Sequence, residues 1–292
     1  MKNALNYYYN LNIDNIHQKN KNYYFKVNNL QYMLLECINE EINDIYSLNV
    51  YLTKNYPFYK IILNKDNKVI TIINEINYIL LEINNNIKEL NLNEIIKINN
   101  IPIVNFNKLR RDNWYTLWTN KIDYFEYQIN QIGKKYPIIR ESFNYYIGLA
   151  ETAISLIKSI NNEGMYLSLS HKRINNAFDL YNPLNLIIDV RIRDICEYFK
   201  FCFFENKNIF KELELFLNYN KLSYNESVYF LARMLFPTYY FDLYEKIIAN
   251  EVKEEEIKKI ISKVDKYEKL LKYIYLNFKN NNLYIEWLEK IN

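Results

Sequence analysis

The stretch from Ser168 to Lys200 constrains the fold more than any other part of this 292-residue chain. It contains His171, one of two histidines, and then an apolar run, Leu186 to Ile188, that ends at Asp189. Apolar residues at helical spacing follow from Arg193 onward. The sequence therefore predicts a polar loop, a short buried strand that ends in an acid, and a helix that opens with charged residues, in that order.

This order of elements is that of the catalytic segment of kinase-like phosphotransferases. In such a segment an aspartate two residues after the histidine accepts the hydroxyl proton, and a later asparagine helps to hold the metal ions. Here Arg173 stands at the first position and cannot accept a proton, and Phe178 stands at the second. Asn175 and Asn176 are a shifted alternative to that asparagine. The sequence thus predicts a segment that keeps the order but lacks the base.

Two residues of the stretch are candidates for direct roles in chemistry. His171 is a candidate catalytic residue, and the alternative is a loop histidine that is hydrogen-bonded to the backbone. Asp189 is a candidate magnesium ligand, and the alternative is a strand-end cap, since one acid alone makes a poor magnesium site. Arg193 and Glu197 are four residues apart, which is typical of an exposed helix pair, and Asp194 is predicted to have a structural role.

The first hundred residues have a strand pattern with one helix inserted. The predicted strands are Tyr23–Val27, Gln31–Cys37, Phe58–Leu63, Lys68–Ile73 and Asn77–Ile83, with a helix over Glu40–Lys54 between the second and the third. The turn composition Asn28-Asn29 predicts a hairpin between the first two strands. Together these elements predict a five-stranded antiparallel sheet that carries one helix, which is the outline of a kinase N-lobe.

The same segment lacks two fixtures of nucleotide-binding lobes. No glycine precedes Gly133, so no glycine-rich loop can close over phosphate groups. The strand that should donate a lysine to the phosphates contains Glu36 and no lysine, which leaves Glu40 or Glu41 without the expected ion-pair partner. Lys26, one strand earlier, and Glu40 are the candidate cofactor-binding residues, with a solvated strand lysine as the alternative. The cofactors that such a site would take are ATP and Mg²⁺.

Helical patterns dominate from about residue 101 onward. The sequence therefore predicts two domains, a sheet-bearing N-lobe over residues 1–100 and a helical C-lobe over residues 101–292. Arg111 to Ile132 has an apolar and aromatic stripe on one helix face, which is typical of a core-facing helix. Pro137 to Ile160 predicts a second long helix, broken or kinked around Tyr145 to Gly148.

A later helix opens with a capping box formed by Ser223 and Glu226. It contains Arg233, which we expect to anchor a buried carboxylate rather than to meet a ligand. Phe236-Pro237 is expected to end it.

Charge and cysteine content argue against several classes of function. The net charge is only +3 and the basic residues are scattered among acids, so no nucleic-acid partner is predicted. The three cysteines have no CxxC spacing and lie in apolar segments, which predicts reduced core cysteines in a cytosolic protein. No signal peptide and no apolar stretch near twenty residues is found, so we expect a cytoplasmic protein without a membrane partner.

Three segments carry a resemblance to a known family: Ser142–Ile157, Asp189–Lys200 and Ser227–Glu245 resemble the YutH-type branch of the CotS family of spore-coat-associated proteins. The matching positions are Tyr145, Gly148, Leu149, Ala150, Glu151, Ala153, His171, Arg173, Asp189, Arg193, Asp194, Glu197, Ala232, Arg233, Leu235, Phe236 and Pro237. The resemblance implies an α+β, bilobal protein-kinase-like fold of the aminoglycoside and choline kinase type. It also implies a branch that departs from the H-G-D signature, in agreement with Arg173.

The residues and the resemblance together lead to two hypotheses of function. The first is a catalytically degenerate kinase-like protein that serves as a binding or structural component associated with the spore coat, with coat proteins as partners. Its contacts would be made by the former substrate cleft and by a tyrosine-rich surface. The alternative is an active small-molecule kinase that phosphorylates an aminoglycoside-like or choline-like hydroxyl, with Asp189 holding magnesium and Glu163 or Asp179 as the base.

Overall fold

The computed structural model describes residues 1–19, 21–37, 41–83, 89–103, 107–111, 113–160, 165–279 and 283–291. Glu40 and Glu163, both named above as candidates, lie outside these residues. The chain forms two compact units. The first comprises Met1–Arg110 and Ser168–Ile188, and the second comprises Arg111–Leu167 and Asp189–Asn292. The lobe boundary between residues 100 and 101 stays a prediction.

The first unit is built on an antiparallel sheet of six strands. Its elements are α1 (Lys2–Tyr9), β1 (Ile16–Lys19), β2 (Asn22–Val27), β3 (Leu30–Glu36), α2 (Ile42–Leu52), β4 (Lys60–Ile62), β5 (Thr71–Ile73), β6 (Ile76–Ile83) and α3 (Leu92–Asn99). The strand order is β1-β2-β3-β6-β4, and β5 also pairs with β6. The five predicted strands and the helix between them are confirmed.

The sequence did not predict β1, so the sheet has six strands where five were expected. Its sequence is IHQK, and only Ile16 is partly buried, so no apolar alternation marks it as a strand. Its pairing with β2 supplies the stability that its own composition lacks. The predicted hairpin between β2 and β3 is confirmed, because Asn28 and Asn29 both have positive φ angles, 50° and 67°, as a two-residue turn of this kind requires.

One face of this sheet packs against α1. The buried cluster on that face contains Leu5 and Ile13 before the sheet and Phe25, Tyr32, Leu34, Ile73, Tyr78 and Leu80 within it. The rings of Phe25 and Tyr32, which are opposite each other on β2 and β3, stack with their centroids 5.4 Å apart. Burial of large aromatic rings on both strands fixes their register, because a shift by one residue would expose the whole set.

The helical part of the chain follows α3. Its elements are α4 (Trp114–Ile132), α5 (Pro137–Ser159), β7 (Leu167–His171), α6 (Ala177–Tyr181), β8 (Leu186–Val190), α7 (Arg193–Phe204), α8 (Phe210–Tyr219), α9 (Tyr224–Leu235), α10 (Thr238–Ile248), α11 (Lys258–Ile261), α12 (Val264–Phe278) and α13 (Glu286–Glu289). Strands β7 and β8 form a two-stranded sheet. No helix of the described ranges combines the length and the apolar character that crossing a bilayer would require.

The helix boundaries follow the sequence signals with one exception. The capping box at the start of α9 is confirmed, since Ser223 accepts from the Glu226 backbone and Glu226 accepts from the Ser223 backbone. The break considered for α5 near Gly148 is wrong, because the helix runs continuously from Pro137 to Ser159. The kink, the other possibility, stays a prediction. A Cβ atom added at Gly148 would meet no other atom within 4 Å. One glycine is a weak helix former, but it does not interrupt this long helix.

Candidate functional site

His171 is the last residue of β7 and is fully buried in the first unit. Its Nε2 lies 3.0 Å from the carbonyl oxygen of Leu180 in α6. A carbonyl oxygen can only accept, so Nε2 carries the proton in this contact. The contact is the one expected of a loop histidine bonded to the backbone, and it directs one ring nitrogen inward.

The side chain of Asn185 makes three hydrogen bonds that close the loop after His171. Its amide nitrogen donates to the carbonyl oxygens of Arg173 and Asp179 at 2.6 and 3.0 Å, and its amide oxygen accepts from the Arg173 backbone N–H at 3.1 Å. Nη1 of Arg173 donates to the carbonyl of Lys172, at 3.0 Å. A guanidinium therefore stands where the base was expected. Sequence reasoning missed Asn185, for which the only signal was an amide directly before a buried strand.

Phe178 stands where a metal-binding asparagine was expected, and its side chain packs against another aromatic ring. The Phe178 ring lies 4.9 Å from the ring of Tyr59, measured between centroids. Asn176, the shifted alternative, is the N-cap of α6 and accepts from the Asp179 backbone at 3.2 Å. Asn175 donates its backbone N–H to Asp179 Oδ2 at 2.8 Å. The Phe178 side chain offers no oxygen ligand, and the side-chain oxygen of Asn176 serves a helix cap.

Asp179 is the candidate alternative base that the structure describes. Burial raises the pKa of its carboxyl, and hydrogen bonds from the backbones of Asn175 and Asn176 oppose that rise. The charge of His171 also opposes it. Because Oδ2 of Asp179 already accepts the Asn175 N–H, this carboxylate helps to fold the loop.

Asp189 is fully buried in the second unit, where four donors surround it. Oδ2 accepts from Trp114 Nε1 at 2.8 Å and from Arg193 Nη1 at 2.9 Å. Oδ1 accepts from the Val190 backbone N–H at 2.7 Å and from the Tyr229 hydroxyl at 3.2 Å. Every contact is a donor, so both oxygens are engaged by hydrogen atoms rather than directed at an open position.

The electrostatics of Asp189 match this set of contacts. Burial raises the pKa of the carboxyl, whereas the guanidiniums of Arg193 and Arg233 oppose the rise. Both guanidinium carbons also lie over the Trp114 ring, 4.5 and 4.6 Å from its centroid. Four donors and two cations fit the ionised carboxylate, whose lone pairs they satisfy.

A second buried ion cluster lies one helical turn further along α7. Glu197, whose side chain is 11% exposed, accepts from Lys200 at 2.9 Å and from Arg233 at 2.5 Å, which confirms Arg233 as the anchor of a largely buried carboxylate. Burial would raise the pKa of Glu197, but these two cations and Arg193 hold it well below its usual value. The exposed pair expected between Arg193 and Glu197 is wrong, since Arg193 is buried and bonds to Asp189. The sequence did not predict the pair of Arg193 with Asp189, because the apolar spacing of α7 does not show that Arg193 is buried.

Of the two candidate cofactor-binding residues, Lys26 lies on the sheet of the first unit and Glu40 is outside the described residues. Lys26 is exposed on β2 and lines a pocket of about 530 Å³. Glu36 on β3, at the expected lysine position, lies 3.8 Å from the exposed Lys21. These roles stay predictions.

The residues that would hold Mg²⁺ do not fit the ion. Within the described ranges, no three His, Cys, Asp or Glu side chains come together as a metal site. Mg²⁺ requires oxygen ligands free to coordinate it, but the oxygens of Asp189 are bonded to a guanidinium, an indole, a phenol and a backbone N–H. Asp189 therefore presents no oxygen lone pair that is free to coordinate magnesium.

Solved structures of small-molecule phosphotransferases share this fold. The chain matches an aminoglycoside phosphotransferase from Alicyclobacillus acidocaldarius with a TM-score of 0.66 at 10% identity, over 93% of this chain and 94% of that one. It matches a spectinomycin phosphotransferase with ADP and spectinomycin with a TM-score of 0.62 at 13% identity, over 89% and 92%. A choline kinase from Streptococcus pneumoniae gives 0.50 at 13% identity, over 92% and 97%. The protein therefore has an α+β, protein-kinase-like fold of the aminoglycoside phosphotransferase type, as predicted.

Within this fold class the sequence identifies the family. Residues 2–274 match the family described as "Spore coat putative kinase YutH", and the chain belongs to that family. A relative, the endospore coat-associated protein YutH of Bacillus subtilis (strain 168), is 24% identical over 210 residues. That match spans 61% of this chain and 61% of the relative's length.

Proposed function

We propose that this protein is a catalytically degenerate, kinase-like component of the spore coat that acts by binding other coat proteins. The proposal rests on the two positions where a phosphotransferase has its catalytic base and its metal-binding carboxylate. Arg173 stands at the position of the base, and Asp189 is committed to an internal network of donors. A hydroxyl nucleophile then has no carboxylate at the usual place to accept its proton.

The loop geometry supports the same conclusion. Asn185 closes the loop by three hydrogen bonds, and Phe178 replaces a metal-binding amide with an aromatic contact to Tyr59. Both features favour a rigid segment over a catalytic one that rearranges around substrate.

The proposed role in the coat rests on the family and on the surface. The relative from Bacillus subtilis is described as endospore coat-associated. Several tyrosines of the present chain have more than half of their surface exposed: Tyr7, Tyr124, Tyr127, Tyr166, Tyr219 and Tyr284. Tyrosine is enriched in protein interfaces, since its ring offers a large apolar area and its hydroxyl a polar contact.

A phosphotransfer assay tests the proposal. The purified chain is incubated with ATP, Mg²⁺ and a panel of aminoglycosides and amino alcohols, and release of ADP is followed. We expect the rate to equal that of the Asp179→Asn variant, because no residue of the loop acts as base. Substrate-dependent ADP release that Asp179→Asn abolishes, with the exposed Asp123→Asn as control, would favour the active kinase instead.

A further inference from the structure

The register of the first sheet brings four polar side chains to one face. His17 on β1 is opposite Tyr24 on β2, and Lys26 on β2 is opposite Gln31 on β3. Residues directly opposite each other in an antiparallel pair project from the same face. Tyr24 and Lys26 are two positions apart on one strand, so they share that face as well. The four side chains therefore form one patch across three neighbouring strands, here called the β1–β3 patch.

The β1–β3 patch lines the pocket of about 530 Å³. Asp14, just before β1, and Ile83, which is opposite Gln31 at the end of β6, also border it. Its volume is within the range of about 300–1,000 Å³ that is typical of small-molecule sites. Phe25 also borders the pocket and belongs to the buried cluster that packs against α1, so the patch has a well-packed support.

The polar groups of the β1–β3 patch have unused hydrogen-bonding capacity. Among the described residues, none donates to or accepts from the side chains of His17, Tyr24, Lys26 or Gln31. The amide of Gln31 and the imidazole of His17 can each donate and accept, whereas the Lys26 ammonium only donates. Asp14 supplies an acceptor, and its charge balances that of Lys26.

This mixture of groups discriminates between classes of ligand. A phosphate or carboxylate accepts hydrogen bonds only, so it needs a set of donors and would meet the carboxylate of Asp14. A hydroxyl group both donates and accepts, which matches mixed amide, imidazole and carboxylate partners. The Tyr24 ring adds an apolar face against which the C–H groups of a pyranose can lie. The near-zero formal charge of the lining favours a neutral ligand.

We propose that the β1–β3 patch binds a neutral saccharide. The sugar ring lies against Tyr24, and its hydroxyl groups bond to Gln31, His17 and Lys26. The site needs neither a metal ion nor a phosphate group. None of its residues belongs to the loop around His171. Lys26 is also the candidate residue for binding ATP, so the proposal assigns the patch to a sugar in place of a nucleotide.

Saturation-transfer NMR with N-acetylglucosamine, galactose, mannose and rhamnose as probes tests this proposal, followed by titration of the best probe. We expect at least one sugar to bind, and its affinity to fall by at least tenfold in Tyr24→Ala and in Gln31→Ala. Tyr24→Phe keeps the ring and should bind within about threefold of the native chain. Tyr219→Ala, at a tyrosine that is 81% exposed outside the patch, should have no effect.

Three results would overturn the saccharide site. The first is that no probe binds the native chain while its amide spectrum shows it folded. The second is binding that survives both Tyr24→Ala and Gln31→Ala. The third is that ATP binds in place of the sugars and that Lys26→Gln abolishes the binding, which would assign the patch to an anion.

Discussion

Trp114 Nε1 donates a hydrogen bond to Asp189 Oδ2 at 2.8 Å, across 75 positions of sequence. The same oxygen accepts from Arg193, whose guanidinium carbon lies 4.5 Å from the centre of the Trp114 ring. The indole therefore donates a hydrogen bond to Asp189 and lies over the guanidinium of Arg193, and these two residues form one buried ion pair. An internal role of this kind accounts for Asp189 without any bound ligand.

Replacing Trp114 by phenylalanine should measure what this hydrogen bond contributes. Trp114→Phe keeps an aromatic ring beside Arg193 but removes the N–H, which leaves one lone pair of Asp189 unsatisfied. We expect the free energy of unfolding in urea to fall by about 1–3 kcal/mol. Trp287→Phe is the matched control, since no partner of its indole N–H is found in the described chain. Equal losses in the two variants would contradict a specific role for the Trp114 N–H.

Asn185, whose three hydrogen bonds close the loop after His171, is here called the clamp, and removing its side chain should loosen that loop. Asn185→Ala deletes two donated hydrogen bonds and one accepted bond, each of which contributes about 0.5–1.5 kcal/mol. We expect amide hydrogen exchange in residues 172–181 to accelerate by at least tenfold, with a smaller change elsewhere. Asn120→Ala, at an exposed asparagine of α4, is the control. Unchanged exchange of the Arg173 amide would show that the clamp does not hold the loop.

Burial of Tyr240 makes the free energy of unfolding depend on pH in the alkaline range. Burial raises the pKa of Tyr240 from 10.0 to about 12, with a smaller opposing effect from its bond to Ser142. Because the folded state holds the proton more tightly, this contribution to stability is complete below pH 10 and is lost as pH rises through 12. The slope of unfolding free energy against pH between 10 and 12 should be less negative in Tyr240→Phe, by up to about 1.4 kcal/mol per pH unit.

The control for this pH dependence is Tyr219→Phe, since Tyr219 is 81% exposed. Its slope should equal that of the native chain. A slope in Tyr240→Phe that also equals that of the native chain would mean that Tyr240 does not remain protonated in the folded protein above pH 10.

The sequence predicted what local patterns and ordered motifs encode. The β2–β3 hairpin follows from two asparagines at a turn, and the capping box of α9 follows from Ser223 and Glu226 three residues apart. Strand β1 escaped detection because three of its four residues are exposed and polar. Its place in the sheet depends on pairing with β2, which is a tertiary rather than a local effect.

The environment of Asp189 was less predictable, for a related reason. Its position at the end of a strand left two alternatives, a metal ligand and a strand-end cap, and neither of them predicts the observed partners. Two of its partners, Trp114 and Tyr229, are 75 and 40 positions away and lie on separate helices. Arg193 is four residues away, yet its helical spacing to Glu197 indicated a different pair. Long-range hydrogen bonds of this kind become visible only when the chain is folded.

The most direct test of the central claim is a Mn²⁺ titration in the presence of ATP, followed by electron paramagnetic resonance. Mn²⁺ serves as the probe because it prefers the same oxygen ligands as Mg²⁺. We predict that the signal of the Mn²⁺–ATP complex is the same with the native chain and with Asp189→Asn, since the carboxylate is held by four donors. Protein-dependent binding of Mn²⁺ that Asp189→Asn abolishes and Asp123→Asn leaves intact would contradict the account.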